Sequence, residues 1–226
     1  MIAALFDLDG TLYTGHIWKT LTRHHWIHRK KLPFLLYFLA TNLGPWPLVK
    51  AGLLDKKGYF IRWGENMAWM VGGFSRQEAQ RLFQWIWDHD VAHSLYPEAM
   101  STLRWHQEQG HQVVLVSGTF QELLEVIAQG LGIPYAVGTS LEVQGERYTG
   151  RIVPPFCFGS YKVQRTKEFL ERAGLEVDFA SSFAYADTIF DVPFLESVGN
   201  PVAVCPDEEL LLYARRRGWS VLGAPR

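Results

Sequence analysis

Short apolar runs alternate with longer stretches of helical spacing along most of the chain. Four runs have the length and composition of strands buried in a parallel sheet, and they cover residues 2–6, 113–116, 183–185 and 201–204. The predicted helices cover residues 96–110, 120–129, 161–172, 192–197 and 207–217. Further strands are predicted at residues 135–137 and 219–222, with a small peripheral hairpin at residues 141–143 and 151–153. This alternation predicts an α/β fold with a parallel sheet.

Residues 13–95 show helical spacing only. Their apolar side chains recur three or four residues apart in three segments that glycines and prolines separate: Trp18, Leu21 and Trp26; Phe60, Trp63, Met67 and Met70; Leu82, Trp85 and Ile86. We therefore expect several short helices inserted after the first strand. The predicted division is a core of residues 1–12 and 96–226 and a helical cap of residues 13–95.

Charge is unevenly divided between these two parts. The chain of 226 residues has a formal net charge of −1, but residues 13–95 hold eleven Lys or Arg against five Asp or Glu and seven of the nine tryptophans. The basic triplet at residues 215–217 ends a predicted helix, where cations complement the helix dipole, so it does not indicate nucleic-acid binding. Two cysteines and an N-terminus that enters a core strand directly predict a reducing, cytoplasmic location.

Residues 32–40 form an apolar run preceded by the basic residues 29–31. Nine residues are too few for a helix that crosses a bilayer, which needs about 20. Two interpretations remain open. The run is either part of the core of the cap with a solvated basic edge, or a surface that faces lipid.

Two carboxylates, Asp7 and Asp9, come directly after the first predicted strand and before Gly10. In open α/β sheets ligands bind beyond the carboxyl ends of the strands, so these two carboxylates lie where they can contact a bound ligand. The alternative is an ordinary Asp-Gly turn with solvated carboxylates.

Later strand ends carry related features. Ser117 and Gly118 follow the second strand and precede a helix, which suits a phosphate cradle, although a simple helix cap is the alternative. Asp187 and Asp191 follow the third strand, and Lys162 lies at the start of the preceding helix. These features alone leave phosphate chemistry and ordinary capping both open.

Together the motifs Asp7-Leu-Asp9-Gly-Thr11, Ser117-Gly118, Lys162 and the pair Asp187 and Asp191 resemble the haloacid dehalogenase superfamily of phosphohydrolases. The motifs come in the order of that superfamily. The last motif, two aspartates four residues apart followed by an apolar helix start that contains Pro193, most resembles that of the phosphoserine phosphatase-like branch. The resemblance covers residues 1–15 and about 96–226. It implies a Rossmann-like three-layer parallel-sheet core, an inserted α-helical cap and a phosphatase that acts on a small-molecule phosphate ester.

The resemblance also implies roles for these residues. Asp7 would be the nucleophile that forms an aspartyl-phosphate, and Asp9 the general acid and then base. Mg²⁺ would be held by the carboxylates of Asp7 and Asp187 and the backbone carbonyl of Asp9, and Asp191 would orient a metal-bound water. Ser117, Gly118 and Lys162 would bind the phosphate oxygens.

One residue departs from the pattern. Relatives usually carry Asn, Ser or Thr immediately before the last aspartate, and this chain has Phe190. We interpret Phe190 as a residue that adjusts the metal site without abolishing it, because Asp187 and Asp191 are both present.

The substrate is less defined. Residues 13–18 lack the acidic residue that holds the amine of phosphoserine in relatives, which disfavours that substrate, and the basic aromatic cap favours a lipid phosphate. Arg23, Arg29 and Arg62 are candidate cap contacts to substrate. A phosphotransferase or a non-catalytic binding protein of the same fold remains an alternative.

His24 and His28 lie four residues apart in a predicted helix, with His16 and His25 nearby. Such spacing is compatible with a zinc site, but the cap has no cysteine and the spacing places no third ligand. The sequence leaves both interpretations open.

Overall fold

The structure, a computed structural model, describes residues 1–225. Its main sheet has six parallel strands in the order β3-β2-β1-β6-β7-β8. These strands are β1 (Ala3–Phe6), β2 (Gln112–Phe120), β3 (Tyr135–Thr139), β6 (Phe183–Ala186), β7 (Asn200–Val204) and β8 (Ser220–Leu222). The α/β prediction is confirmed, and each predicted strand forms.

The register of the central strands decides where the polar residues meet. Phe6 of β1 is level with Leu115 of β2 on one side and with Tyr185 of β6 on the other. Asp7, Ser117 and Asp187 therefore follow within two residues at one edge of the sheet, as expected for parallel strands.

Helices cover both faces of the sheet. They are α6 (Pro97–Glu108), α7 (Gln121–Leu131), α8 (Ser160–Arg172), α9 (Val192–Leu195) and α10 (Glu208–Arg217). Successive strand residues point to opposite faces, so Leu5 and Val114 lie in one apolar cluster while Phe6 and Leu115 lie in the other. The sheet is therefore buried on both sides, in a three-layer arrangement.

Five helices lie between β1 and α6. They are α1 (Ile17–Ile27), α2 (Leu32–Leu43), α3 (Trp46–Lys50), α4 (Lys56–Asn66) and α5 (Arg76–His89). The chain leaves and re-enters the core through two adjacent segments, because the Thr14 N–H donates to the Ser94 carbonyl at 2.8 Å and the Tyr96 N–H donates to the Leu12 carbonyl at 2.9 Å. The chain therefore enters and leaves the five-helix insertion at neighbouring points.

The small hairpin is not peripheral, contrary to the sequence prediction. It consists of β4 (Leu141–Gln144) and β5 (Arg147–Ile152), which pair antiparallel. The Gly73 N–H donates to the Tyr148 carbonyl at 2.6 Å, and the Tyr148 N–H donates to the Phe74 carbonyl at 2.9 Å. The hairpin therefore binds the segment between α4 and α5, a long-range contact that local sequence pattern does not indicate.

One helical stretch, Leu32–Lys50, is long and apolar enough to cross a membrane by length and composition alone, with a mean hydropathy of 1.3. Gly44 and Pro45 divide it into α2 and α3. Leu35 and Phe38 pack into the protein, whereas Phe34 and Tyr37 are exposed. The interpretation of this run as cap core holds for one side of α2 only.

Candidate active site

In the turn after β1, three N–H groups donate to one backbone carbonyl. The Leu8 carbonyl accepts hydrogen bonds from the N–H groups of Thr11, Leu12 and Tyr13, at 3.1, 3.0 and 2.9 Å. Asp7 still continues the sheet, because its N–H donates to the Tyr185 carbonyl at 2.9 Å. The Asp7 carboxylate is thereby held at the strand end on rigid backbone, and it is 5% exposed.

Asp9 is held by the first inserted helix. Both of its carboxylate oxygens accept the N–H of Ile17, the first residue of α1, at 3.2 Å. A helix N-terminus offers unpaired N–H groups and a positive dipole end, which stabilise a carboxylate. The position of Asp9 thus depends on that of α1.

Lys162 lies at the centre of the site. Its ammonium nitrogen is 2.9 Å from Asp7 Oδ1 and 2.7 Å from Asp191 Oδ1, and all three side chains are buried. Burial alone would lower the pKa of Lys162, but the attraction of Asp191 and Asp7 raises it above its usual value. Lys162 is therefore a fixed positive charge.

Burial and the neighbouring ammonium group shift the pKa of Asp7 in opposite directions. Burial raises the pKa of its carboxyl group, and the Lys162 ammonium opposes that rise. A second cation beside Asp7 would therefore favour its ionised, nucleophilic form.

Three buried carboxylates converge here, which makes the group suitable for a metal ion. One ligand oxygen from each of Asp7, Asp187 and Asp191 lies within 4.8 Å of the others. The hydroxyl of Thr188 donates to Asp191 Oδ2 at 2.9 Å. Three ionised carboxylates against one ammonium leave an excess of two negative charges. A hard divalent cation with oxygen ligands fits both this charge and this donor set.

Ser117 and Gly118 lie at the same edge, but in a strand and not at a helix start. β2 continues to Phe120, and its pairing with β3 shifts register between Val116 and Phe120. Such an irregularity redirects side chains beside a site. Ser117 is buried and lines the cavity above the carboxylates. The predicted helix therefore begins later than expected, at Gln121.

Gly118 permits a close approach of an aromatic ring. A Cβ atom at Gly118 would lie 2.8 Å from the Phe156 ring, and one at Gly64 of α4 would lie 2.0 Å from the same ring. Phe156 is thus wedged between the core and the inserted helices. Both glycines are required by packing at this point.

A cavity of about 620 Å³ extends from the carboxylates between the core and the inserted helices. Asp7, Asp9, Ser117, Lys162 and Asp187 lie at its polar end. The remaining wall is largely aromatic, and the rings come from Trp18, Trp46, Tyr59, Phe60, Trp63, Phe156, Phe158 and Phe190. The cavity can therefore enclose a phosphate at one end and an apolar or flat group at the other.

Phe190, the departure noted in the sequence, belongs to this wall. Its ring lies 5.2 Å from that of Phe60 and 5.3 Å from that of Phe158, centroid to centroid. The Lys56 ammonium lies 5.5 Å from its centroid. Phe190 thus connects the loop that carries the aspartates with α4, and Thr188 supplies a polar contact to Asp191 from the same loop.

The three arginines proposed as substrate contacts lie elsewhere. Arg23, Arg29 and Arg62 are exposed and do not line the cavity. On α4, the side that faces the cavity carries Lys56, Tyr59, Phe60 and Trp63, and Arg62 does not fall on it. The cap cations at the cavity are Lys19 and Lys56.

The histidine pair packs among aromatic rings. The His24 ring lies 4.4 Å from that of His28 and 4.8 Å from that of Trp85. Within residues 1–225, the His, Cys, Asp and Glu side chains that converge closely enough to hold a metal ion are those of Asp7, Asp187 and Asp191.

Sequence reasoning did not identify Asp207. It caps the N-terminus of α10, where its carboxylate accepts the Leu210 N–H at 2.7 Å, and it also accepts the Ile189 N–H at 3.2 Å. The Asp207 N–H donates to the Asp187 carbonyl at 2.9 Å. Asp207 therefore fixes the loop that carries Asp187 and Asp191. An aspartate at the very start of a predicted helix was the available signal.

Comparison with known families agrees with this site. The family of haloacid dehalogenase-like hydrolases matches residues 4–196. The chain therefore belongs to the haloacid dehalogenase-like hydrolases, and within them it is a phosphatase.

Relatives with similar sequences include proteins named as phosphatases. The phosphoserine phosphatase SerB1 of Mycobacterium tuberculosis is 32% identical over 97% of this chain and 70% of that protein. The histidinol-phosphatase of Neisseria meningitidis is 27% identical over 97% of each chain.

Among solved structures, a Bordetella pertussis protein of unknown function superimposes with a TM-score of 0.84, 27% identity and 99% coverage of each chain. A substrate-bound phosphoserine phosphatase gives a TM-score of 0.65 at 16% identity, covering 98% of this chain and 92% of that one. The second similarity concerns the fold alone.

Proposed function

We propose that this protein is a Mg²⁺-dependent phosphomonoester hydrolase that works through an aspartyl-phosphate on Asp7. The observation that supports this most is the buried set Asp7, Lys162 and Asp191, with Asp187 beside it, at the polar end of a cavity. A phosphate ester resists attack because its negative charge repels nucleophiles. The site therefore has to hold the nucleophile next to the phosphate and offset the negative charge of the phosphate.

In the first half of the reaction, an Asp7 oxygen attacks phosphorus and the bond between phosphorus and the ester oxygen breaks. Asp9 donates a proton to the leaving alcohol. In the second half, water attacks phosphorus of the aspartyl-phosphate and loses a proton to Asp9. The acyl-phosphate bond breaks, which regenerates the Asp7 carboxylate and releases inorganic phosphate.

The remaining polar residues hold the phosphoryl group. The Ser117 hydroxyl and the Gly118 N–H would bind its non-bridging oxygens, and Lys162 would offset its charge. Mg²⁺, held by the carboxylates of Asp7 and Asp187 and the backbone carbonyl of Asp9, would supply further positive charge, and Asp191 would orient a water in its shell.

We propose that residues 13–95 are a cap that selects the leaving group. The aromatic wall favours a large apolar or flat group over a small polar one, so phosphoserine is disfavoured and a lipid phosphate is the first candidate. The second is an imidazole alcohol phosphate such as histidinol phosphate, because a flat ring stacks well on Trp and Phe. The buried thiols of Cys157 and Cys205 support a reducing compartment, and we propose the cytoplasm.

The test is phosphate release from lysophosphatidate, histidinol phosphate, phosphoserine, nucleotides, sugar phosphates and an aryl phosphate, with Mg²⁺ and with chelator. We expect release that requires Mg²⁺ and is highest with apolar or flat leaving groups. Asp7→Asn should abolish it while circular dichroism stays unchanged, because the volume is conserved. An exposed carboxylate, Glu168→Gln on α8, is the matched control and should keep wild-type activity. Full turnover by Asp7→Asn would refute the nucleophile.

Phosphoryl transfer to an alcohol would use the same intermediate. Added alcohols would then capture phosphate in competition with water, and the product ratio would separate a transferase from a hydrolase.

A further inference from the structure

The outward side of α2 and α3 carries no charged residue between Lys31 and Lys50. Its exposed large side chains are Phe34, Leu36, Tyr37, Leu43 and Leu48, and Leu36 and Tyr37 are 57% and 59% exposed. The helices at the surface of a soluble protein normally carry charged or polar residues on their outward side. We refer to these five residues as the α2 face.

The α2 face is fixed in place by the opposite side of the same helices. Leu35, Phe38 and Val49 are buried in the protein. Asn42 is buried too, its side-chain amide donates to the Phe38 carbonyl at 2.7 Å, and its backbone carbonyl accepts the Tyr59 hydroxyl. A bilayer-spanning arrangement of this stretch would break these contacts, whereas a surface-lying arrangement keeps all of them.

The chain segment that carries the α2 face has charge of one sign only. Residues 10–54 contain no Asp or Glu and six Lys or Arg. Arg29, Lys30 and Lys31 stand at the start of α2, and Lys50 stands at the end of α3. Exposed Trp26 and Leu53 extend the apolar surface beyond these two helices.

We infer that the α2 face docks the protein on the surface of an anionic lipid bilayer. Apolar and aromatic side chains would enter the headgroup region, and the basic residues at both ends would contact anionic lipids. A second copy of this chain is a poorer occupant, because two such faces would bring their basic residues together, and residues 10–54 supply no carboxylate to offset them.

The cavity opens beside this surface. Leu43 and Trp46, at the junction of α2 and α3, both line it. A docked protein would therefore present its cavity to molecules at the membrane surface. Docking itself needs no turnover, so this inference can fail or hold independently of the proposed function.

The experiment is vesicle flotation of the full chain, with vesicles of phosphatidylcholine alone and of phosphatidylcholine mixed with phosphatidylserine. We expect binding to the anionic vesicles and at least about tenfold weaker binding to the neutral ones. The double variant Leu36→Ser/Tyr37→Ser should lower the partition coefficient by about tenfold or more, because it removes two inserting side chains. Lys30→Glu should lower it severalfold.

Matched controls lie on α10, where Leu212 and Arg216 are exposed to a similar degree. Leu212→Ser and Arg216→Glu should leave flotation unchanged, and all variants should keep the circular dichroism of the wild type. No flotation with either vesicle, or equal flotation of wild type and the Leu36→Ser/Tyr37→Ser variant, would overturn the inference. Sedimentation of the wild type as a dimer that this variant converts to monomer would also overturn it, since a second copy would then cover the face.

Discussion

Replacing Lys162 with methionine removes the one ammonium group that holds two buried carboxylates together. Lys162 contacts Asp7 at 2.9 Å and Asp191 at 2.7 Å, and the three side chains are between 4% and 7% exposed. Methionine keeps most of the volume, so the change concerns charge more than packing. Asp7 and Asp191 are then left buried beside each other without their cation.

The expected loss of stability is large. Removing one partner of a buried ion pair costs roughly 3–5 kcal/mol, because the remaining charge stays desolvated. Lys167 lies on the same helix and is exposed, so Lys167→Met should change the free energy of unfolding by less than about 0.5 kcal/mol. The comparison separates the buried pair from any general effect of removing a lysine from α8.

The loss should depend on pH in a defined direction. Burial raises the pKa of Asp7 in the folded state, and loss of Lys162 removes the group that opposes the rise. Such a carboxyl destabilises the fold when ionised, so the destabilisation is greatest at neutral pH and shrinks as pH falls through the folded pKa. The deficit of Lys162→Met should therefore be smaller at about pH 5 than at about pH 7.

Urea denaturation in chelator at both pH values measures these differences. Adding Asp191→Asn to Lys162→Met should recover part of the loss, since one unpaired charge is removed. A Lys162→Met protein as stable as Lys167→Met, or a deficit that grows in acid, would refute the assignment of this lysine as the central cation.

Three further predictions concern the cavity and the cap. Phe190→Asn should raise KM for apolar esters more than it lowers kcat, because it opens the wall against Phe60, and steady-state kinetics would show the reverse if Phe190 acted on the metal site. Gly64→Ala should weaken activity and thermal stability, because its Cβ would lie 2.0 Å from the Phe156 ring, and an unchanged melting temperature would contradict this packing. Burial lowers the pKa of His25 to about 4, so stability should fall from about pH 6.5 towards pH 4, less steeply in His25→Leu, and parallel urea profiles would exclude His25 as the cause.

The polar end of the site could be predicted from sequence because it depends on local features. Asp7, Ser117 and Asp187 each follow a short apolar run that is typical of a buried strand, and parallel strands end at the same edge. The strand register then brings them within reach of one another. Lys162 was predicted from the family resemblance, since a lysine at a helix start has no local signature.

The aromatic end depends on contacts between distant parts of the chain. Phe156 meets Gly64 only when α4 packs on the loop after β5, and no periodic pattern encodes that approach. The three arginines were assigned by charge alone, and charged side chains on short helices are most often solvated. The sequence pattern predicts a peripheral hairpin because the segment that the hairpin binds, Gly73 to Phe74, lies far away in sequence.

The covalent step on Asp7 is tested most directly with the Asp9→Asn variant and an aryl phosphate. Such a leaving group departs without a proton, so the first half-reaction proceeds while the second lacks its base, and the intermediate accumulates. The variant is quenched in acid, digested and analysed by tandem mass spectrometry. We predict a phosphoryl group on the peptide that contains Asp7, absent from Asp7→Asn/Asp9→Asn. A peptide that stays unmodified while Asp9→Asn releases phosphate at the wild-type rate, or a phosphoryl group on another residue, would contradict the account.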